Sequence, residues 1–440
     1  MLRAVFRRYA LLILVAGCGD AITLEIDSDR PIPQAIDGIC VGVADNNVGG
    51  GHFGQTYAVD KLPQTLRVEA GNADSALAWV RADRGGSPVL YRAAHIDFAG
   101  DVTVALDKCQ VGSSSTPAMR GGAIGPPGSL IAASHGQGGS LVVAIAPGAA
   151  SLVGVRNGAL AGYEAPAPPA GNPVALVTAD LDGDCDDDAI IATDAAAPVV
   201  WIREGATFRE AASIGDVTVA ALATADADHD GDTDVVVGGG NRLQLWRNDG
   251  AGNLALSNGL SAGTRATAVS ALALGDLDGD GNPDLVVGQA GAPLVAWLGS
   301  VATFTPADGV VPPVALDVTH LTLADADNDF DPDLAVSIAG APMRLYIDRD
   351  GRLEDQSFVR LPQPAPVARG VAIGGWDAGC EPDLIIAGET STALRGLPTS
   401  NFEIDASAPA ATDVILVDID DDGDLDAILS TTEGVQWLAR

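Results

Sequence analysis

Apolar residues in this chain gather in short runs rich in β-branched side chains, such as Leu141 to Val143, Val235 to Val237, Leu285 to Val287 and Leu384 to Ile386, with Gly, Pro, Asn and Asp between them. Runs of that length and composition mark buried strands rather than helices. Two regimes follow one another. Over 38–110, Ile39 to Val43, Thr65 to Val68, Ala76 to Val80, Val89 to Ala93 and Val102 to Leu106 alternate with turn residues, which predicts a small β-sandwich-like domain. Over 129–440 a longer period takes over. The Gly-, Ser- and Pro-rich segment 111–128 between them reads as a linker or a closing strand: the chain ends three residues after Trp437, on what should be the third strand of its last unit, and an open edge there needs a partner.

Each long unit has a strand, a nine-residue acidic turn, a second strand, and a third strand with an aromatic 19 to 21 residues past the first Asp: Trp201, Trp246, Trp297, Tyr346 and Trp437. A large ring at a near-fixed offset reads as a packing position between neighbouring sheets. A weaker fourth strand follows near Phe208, Leu254 or Phe304. The acidic turns begin at 180, 226, 276, 325 and 418; the gap of 93 residues before the last is two units long, and a decayed copy at 375–383 fills it with Asp377, Glu381 and Asp383. A fainter copy precedes the set, with a strand at Leu130 to Ala133 and a degenerate turn at His135 to Gly139. Seven units of four strands predict an all-β chain: a seven-bladed β-propeller after the small β-sandwich-like domain.

The turns carry the chemistry. Asp180, Asp182, Asp184 and Asp188 stand at positions 1, 3, 5 and 9, as do Asp226, Asp228, Asp230 and Asp234; Asp276, Asp278, Asp280 and Asp284; Asp325, Asp327, Asp329 and Asp333; and Asp418, Asp420, Asp422 and Asp426. Carboxylates that converge so closely are tolerable around a hard cation such as calcium. An EF-hand is excluded, because a strand follows each turn and position 12 is Ile191, Val237, Val287, Val336 or Leu429 instead of Glu. The whole chain has 24 Lys plus Arg against 59 Asp plus Glu, a net charge of −35, which makes nucleic acid a poor partner.

The Asp-x-Asp-x-Asp-Gly-x-x-Asp core, fullest at Asp276 to Asp284 and followed by Leu285 to Val287, with Gly-Ala-Pro at 291–293 and 340–342, resembles the FG-GAP or VCBS-type repeats of integrin alpha-subunit propellers and bacterial surface proteins. The resemblance spans roughly 129–440 and implies that the carboxylates at positions 1, 3, 5 and 9, with the carbonyl at position 7, ligate calcium. Cys185 and Phe330 depart from the glycine at position 6, where a left-handed backbone is easiest without a Cβ. The turn at 375–383 is expected to hold no ion.

Arg3, Arg7 and Arg8 precede the apolar Leu11 to Val15, and Val15 to Cys18 resembles the lipobox of bacterial lipoproteins. This implies a signal peptide over 1–17, lipidation of Cys18, a tether over 18–37, and an envelope location at the outer membrane or cell surface. An ordinary secretory signal or a short anchor is the alternative. Cys40 and Cys109 bracket the first domain and make a plausible disulfide, whereas Cys185 and Cys380, each at position 6 of a turn, lie several repeats apart.

Other motifs lack their context. Gly49 to Gly54 fits a nucleotide-binding pattern, but no strand-turn-helix surrounds it, so it reads as a flexible loop. Gly259 to Gly263 fits GxSxG within a turn, without the bend that exposes a nucleophile. His52, His95, His135, His229 and His320 form no close ligand pair, and His229, inside a turn, is expected to face solvent. The expectation is a monomeric, non-enzymatic interaction or adhesion module that binds a protein or glycan and meets the membrane only through Cys18. The alternative is a carbohydrate-active propeller enzyme, a polysaccharide lyase or esterase.

Overall fold

The computed structural model describes the strands between residues 21 and 119 and, apart from short gaps, residues 123–439. In the N-terminal part, Ala21–Asp27 pairs antiparallel with Gln64–Glu69 and parallel with Val102–Ala105. Gly38–Asp45 lies between Phe53–Ala58 and Ser75–Arg84, and Ser87–Asp97 completes that sheet. Ile26 of the first sheet and Ile39, Val41 and Val80 of the second are fully buried. The tether expected over 18–37 is therefore corrected, since Ala21–Asp27 is an integral strand. Its alternating Ile22, Leu24 and Ile26 give the period-2 apolar pattern that a half-buried strand needs. The segment 49–54 also differs from a loop at its end, because Phe53 opens a strand.

From 118 onward the described strands build seven antiparallel units of four strands, the fourth and fifth of which join into one eight-stranded sheet where Asp284–Pro293 pairs with Ala315–Ala324. The first is Leu130–Ser134, Leu141–Ala146, Ala149–Arg156 and Ala159–Gly162, and the second is Pro173–Ala179, Asp188–Thr193, Val199–Glu204 and Thr207–Ser213. Five more follow in sequence order, and the third strand of the last is Gly434–Ala439. The first strands of successive sheets lie side by side, and that of the seventh lies beside that of the first, so the sheets close into a ring. Ala118–Met119 supplies the fourth strand of the last sheet, with Met119 opposite Leu438. The amide of Ile124 adds a bond to the Val435 carbonyl at 2.7 Å. Closure is tight enough to require glycine at 434, where φ is 125° and a Cβ would lie 2.6 Å from that of Ala123.

The second strand of each sheet is buried on both faces, as in Asp188–Thr193 and Asp333–Ile338, and clusters form between sheets. Trp201 packs with Leu141, Val143 and Ile145 of the sheet before it, and Trp297 and Tyr346 pack backward in the same way. Trp201, Trp246, Trp297 and Tyr346 all pair with the residue after the ninth Asp. Trp437 does not share this position. In the last sheet Leu438 holds it, opposite Ala427, and Trp437 pairs with Ile428. A slip of one residue turns a side chain to the other face, so Trp437 packs forward on Ile131, Val142 and Ala144 and helps seal the ring.

Candidate metal centre

Each acidic turn links the first strand of a sheet to the second. Position 1 follows the last residue of the first strand, and position 9 opens the next one, as at Asp188 and Asp284. Between them the backbone turns back on itself through left-handed residues at positions 4 and 6. These are Gly183 and Cys185, His229 and Gly231, and Gly279 and Gly281, with Asn328 at position 4 of the fourth turn. Asn and His visit that region more readily than most side chains, so position 4 as well as position 6 is left-handed. Cys185 is buried and disulfide-bonded, to a partner that is not among the described side chains.

The carboxylates divide by role. Position 1 accepts amides from within the turn: Asp180 takes Gly183 and Cys185 N–H, each at 2.9 Å, and Asp276 takes Gly281 N–H at 3.1 Å. Position 5 accepts the amide of position 7, from Asp186 to Asp184 and from Asn282 to Asp280. Position 9 joins two strands. Asp188 accepts Leu181 N–H at 2.9 Å and Arg203 N–H at 2.7 Å, and Asp284 accepts Leu277 at 2.8 Å and Gly299 at 2.7 Å. Asp234 and Asp333 repeat this with Ala227 and Asn248, and with Ala326 and Asp348. In the decayed turn Asp383 still accepts Trp376, Asp377 and Gly396 N–H. The ninth Asp is thus a backbone staple as well as a candidate ligand, which sequence reasoning missed. Its survival in the decayed turn was the available signal.

Close carboxylate oxygens, all within 4.8 Å of one another, come from Asp180, Asp182 and Asp188; Asp226, Asp228 and Asp230; Asp276, Asp278 and Asp284; Asp325, Asp327 and Asp333; and Asp418, Asp420 and Asp426. Asp184, Asp234, Asp280 and Asp329 stand outside these sets. Asp422 and Phe330 lie outside the described residues, as do Cys18 and the side chains of Cys40, Cys109 and Cys380. The Oδ1 atoms of Asp182, Asp226, Asp228 and Asp327 are buried with no hydrogen-bond partner. A buried carboxylate oxygen without a donor is costly, and the turns supply oxygens only, so the donor set fits a hard cation such as calcium.

Electrostatics agree. Burial pushes Asp188 up to about 9, Asp333 to about 8, and Asp234 and Asp284 to about 7, against the amides that hold them down. Burial and the charges of Asp186, Asp182 and Asp180 likewise raise Asp184 to about 7. A cation offsets that cost by favouring the charged form.

Neighbouring turns also touch. His229 is exposed, as expected, and its Nε2 also lies 2.9 Å from Asn282 Oδ1 of the next turn, whose Nδ2 donates to Asp280 Oδ1 at 2.8 Å. Asn328 Nδ2 donates to Glu381 Oε2 of the decayed turn at 2.6 Å. Of the remaining motifs, Gly49 to His52 and Ser261 lie outside the described residues. No described helix is long and apolar enough to cross a membrane.

No curated protein matches the chain. Among solved structures, an Agrocybe aegerita lectin, described as specifically recognising non-reducing terminal N-acetylglucosamine, superposes with a TM-score of 0.50 at 14% identity, covering 96% of this chain and 99% of that one. Sqt1 of Saccharomyces cerevisiae gives 0.45 at 9% identity, covering 76% and 99%. The lectin likeness concerns the fold alone. A model of the FG-GAP-like repeat matches residues 180–237, 226–287 and 276–336, each match running from one acidic turn into the strand after the next. With these repeats, the acidic turns and the ring of sheets, the chain is an FG-GAP repeat protein with a β-propeller fold.

Proposed function

We propose that this chain is a calcium-stabilised, non-enzymatic interaction module of the cell envelope, tethered by lipid at Cys18, that binds a protein or glycan through its rigid ring. The observation that carries this reading is the repeated convergence of buried, donor-less carboxylate oxygens in turns that touch their neighbours. One arrangement repeated around a ring suits a scaffold, because a carboxylate held by a cation is a poor general acid. Calcium supplies positive charge at these turns when bound. Asp182, Asp228, Asp278, Asp327 and Asp420 at position 3 would hold it together with position 1, while position 9 ties the site to the strands. The envelope location rests on the basic start and on Val15 to Cys18.

Titration calorimetry of the purified protein with calcium tests the metal reading, and heat that saturates at several ions per chain is expected. Membrane fractionation of Cys18→Ser tests the tether, since a variant as firmly membrane-bound as the parent contradicts it. A screen on polymeric glycans and ester substrates tests the absence of catalysis. Turnover abolished by a single side-chain change would establish the enzyme alternative instead.

A further inference from the structure

The acidic turns share a backbone but not a counter-charge. Two arginines from further along the chain reach the turn 325–333, Arg349 just after the third strand and Arg360 at the end of the short helix Ser357–Arg360. Arg349 Nη1 donates to Asp329 Oδ2 at 2.8 Å, and its Nη2 donates to Asp327 Oδ2 at 3.0 Å. Arg360 Nη2 donates to that same Asp327 oxygen at 2.8 Å. Both guanidiniums are fixed from behind, Arg349 by the Asp348 carbonyl and Arg360 by the Ser400 carbonyl of the next sheet, each at 2.8 Å. The side chains of Asp327 and Arg360 are 6% and 10% exposed, so water and salt screen this pair little. Planar forks that bridge two carboxylates hold geometry as well as charge.

Positions 3 and 5 of the turn 276–284 differ. Asp278 and Asp280 are exposed and meet no arginine among the described residues. The turn 226–234 is intermediate, with Arg247 paired to Asp228. Two guanidiniums bring the same formal charge to 325–333 that one divalent ion would bring to 276–284.

We propose that Arg349 and Arg360 hold the turn 325–333 in its folded geometry whether or not an ion is bound, so that this blade keeps its shape when calcium is withdrawn and the turn 276–284 does not. The second half of this statement rests on reading 276–284 as a calcium site; the first half does not. The latch extends into the next blade. Asn328 bonds Glu381 of the decayed turn, and Arg360 bonds Ser400, so the fifth and sixth blades form a contiguous sector whose turns need no ion.

Hydrogen exchange read by mass spectrometry on the full chain, in calcium and in EDTA, tests this. In EDTA the amides of 276–284 are expected to exchange about tenfold faster or more, and those of 325–333 to change little. In Arg349→Gln, and more so in Arg349→Gln with Arg360→Gln, the turn 325–333 loses its protection in EDTA and regains it with calcium. Exchange of 325–333 in the parent protein that rises in EDTA as much as that of 276–284 overturns the latch, and so does unchanged protection in Arg349→Gln. A turn 276–284 indifferent to calcium refutes the calcium reading of that turn and leaves the latch to the arginine substitutions, where loss of protection supports it and unchanged protection refutes it.

Discussion

The turns 276–284 and 375–383 occupy the same place in the fourth and sixth units of one ring, yet only the first keeps carboxylates at positions 1, 3 and 5. Both keep the ninth Asp, and both use it in the same way: Asp284 and Asp383 each accept the amide at position 2 of the turn and one from the end of the third strand, and Asp383 also accepts that of Asp377. The turn therefore contains two kinds of aspartate. One kind closes the hairpin onto its sheet whatever is bound. The other kind crowds carboxylate oxygens together, a cost that a hard cation offsets. A turn can lose the second kind and remain a turn, which is how 375–383 persists among neighbours that keep their full set of carboxylates.

Withdrawal of calcium should separate the two kinds most strongly. Binding to the folded state alone stabilises by RT ln(1 + [L]/Kd), about 1 kcal/mol per site in millimolar calcium at affinities of about 10⁻⁴ to 10⁻³ M. Summed over the intact turns, EDTA should lower the melting temperature on the order of 5 to 10 °C, as read by calorimetry. The same comparison predicts a pH dependence. Asp188, Asp234, Asp284 and Asp333 have folded-state values raised by burial to between about 7 and about 9. A raised carboxylate binds its proton more tightly in the folded chain, so its stabilisation is complete below pH 4 and is lost as pH rises through those values. In EDTA the melting temperature should rise as pH falls from about 8 to about 5, and added calcium should flatten that slope.

Asp383→Ala removes a buried acceptor from three amides and should cost about 3 kcal/mol, equally with calcium and in EDTA. A penalty that appears only in calcium would mean that the decayed turn binds an ion after all. Asp278→Ala, at an exposed position 3, is the smallest change. It should cost about 1 kcal/mol in calcium and close to nothing in EDTA.

Much of the architecture was legible because its signals are local. Second strands such as Val235 to Val237 read as buried from their side chains alone, and the acidic turns showed the period even across the decayed copy. Trp437 was misplaced because it stands one residue earlier in its strand than Trp246 does in a hairpin of equal length, and a one-residue slip reverses the face. Ala21–Asp27 looked like a spacer because its partners, at 64–69 and 102–105, lie far along the chain. The site was legible as a set of carboxylates but not as a division of labour. The amides that occupy Asp284 and the guanidiniums that meet Asp327 come from the ends of third strands and from beyond the fourth, and no local spacing announces them.

The most direct test is the thermal unfolding of the parent protein, Asp278→Ala and Asp383→Ala, each in calcium and in EDTA. The account predicts that EDTA lowers the melting temperature of the parent, erases the difference between the parent and Asp278→Ala, and leaves the deficit of Asp383→Ala unchanged. Unfolding curves that EDTA does not move, or an Asp278→Ala deficit that survives in EDTA at full size, would contradict it.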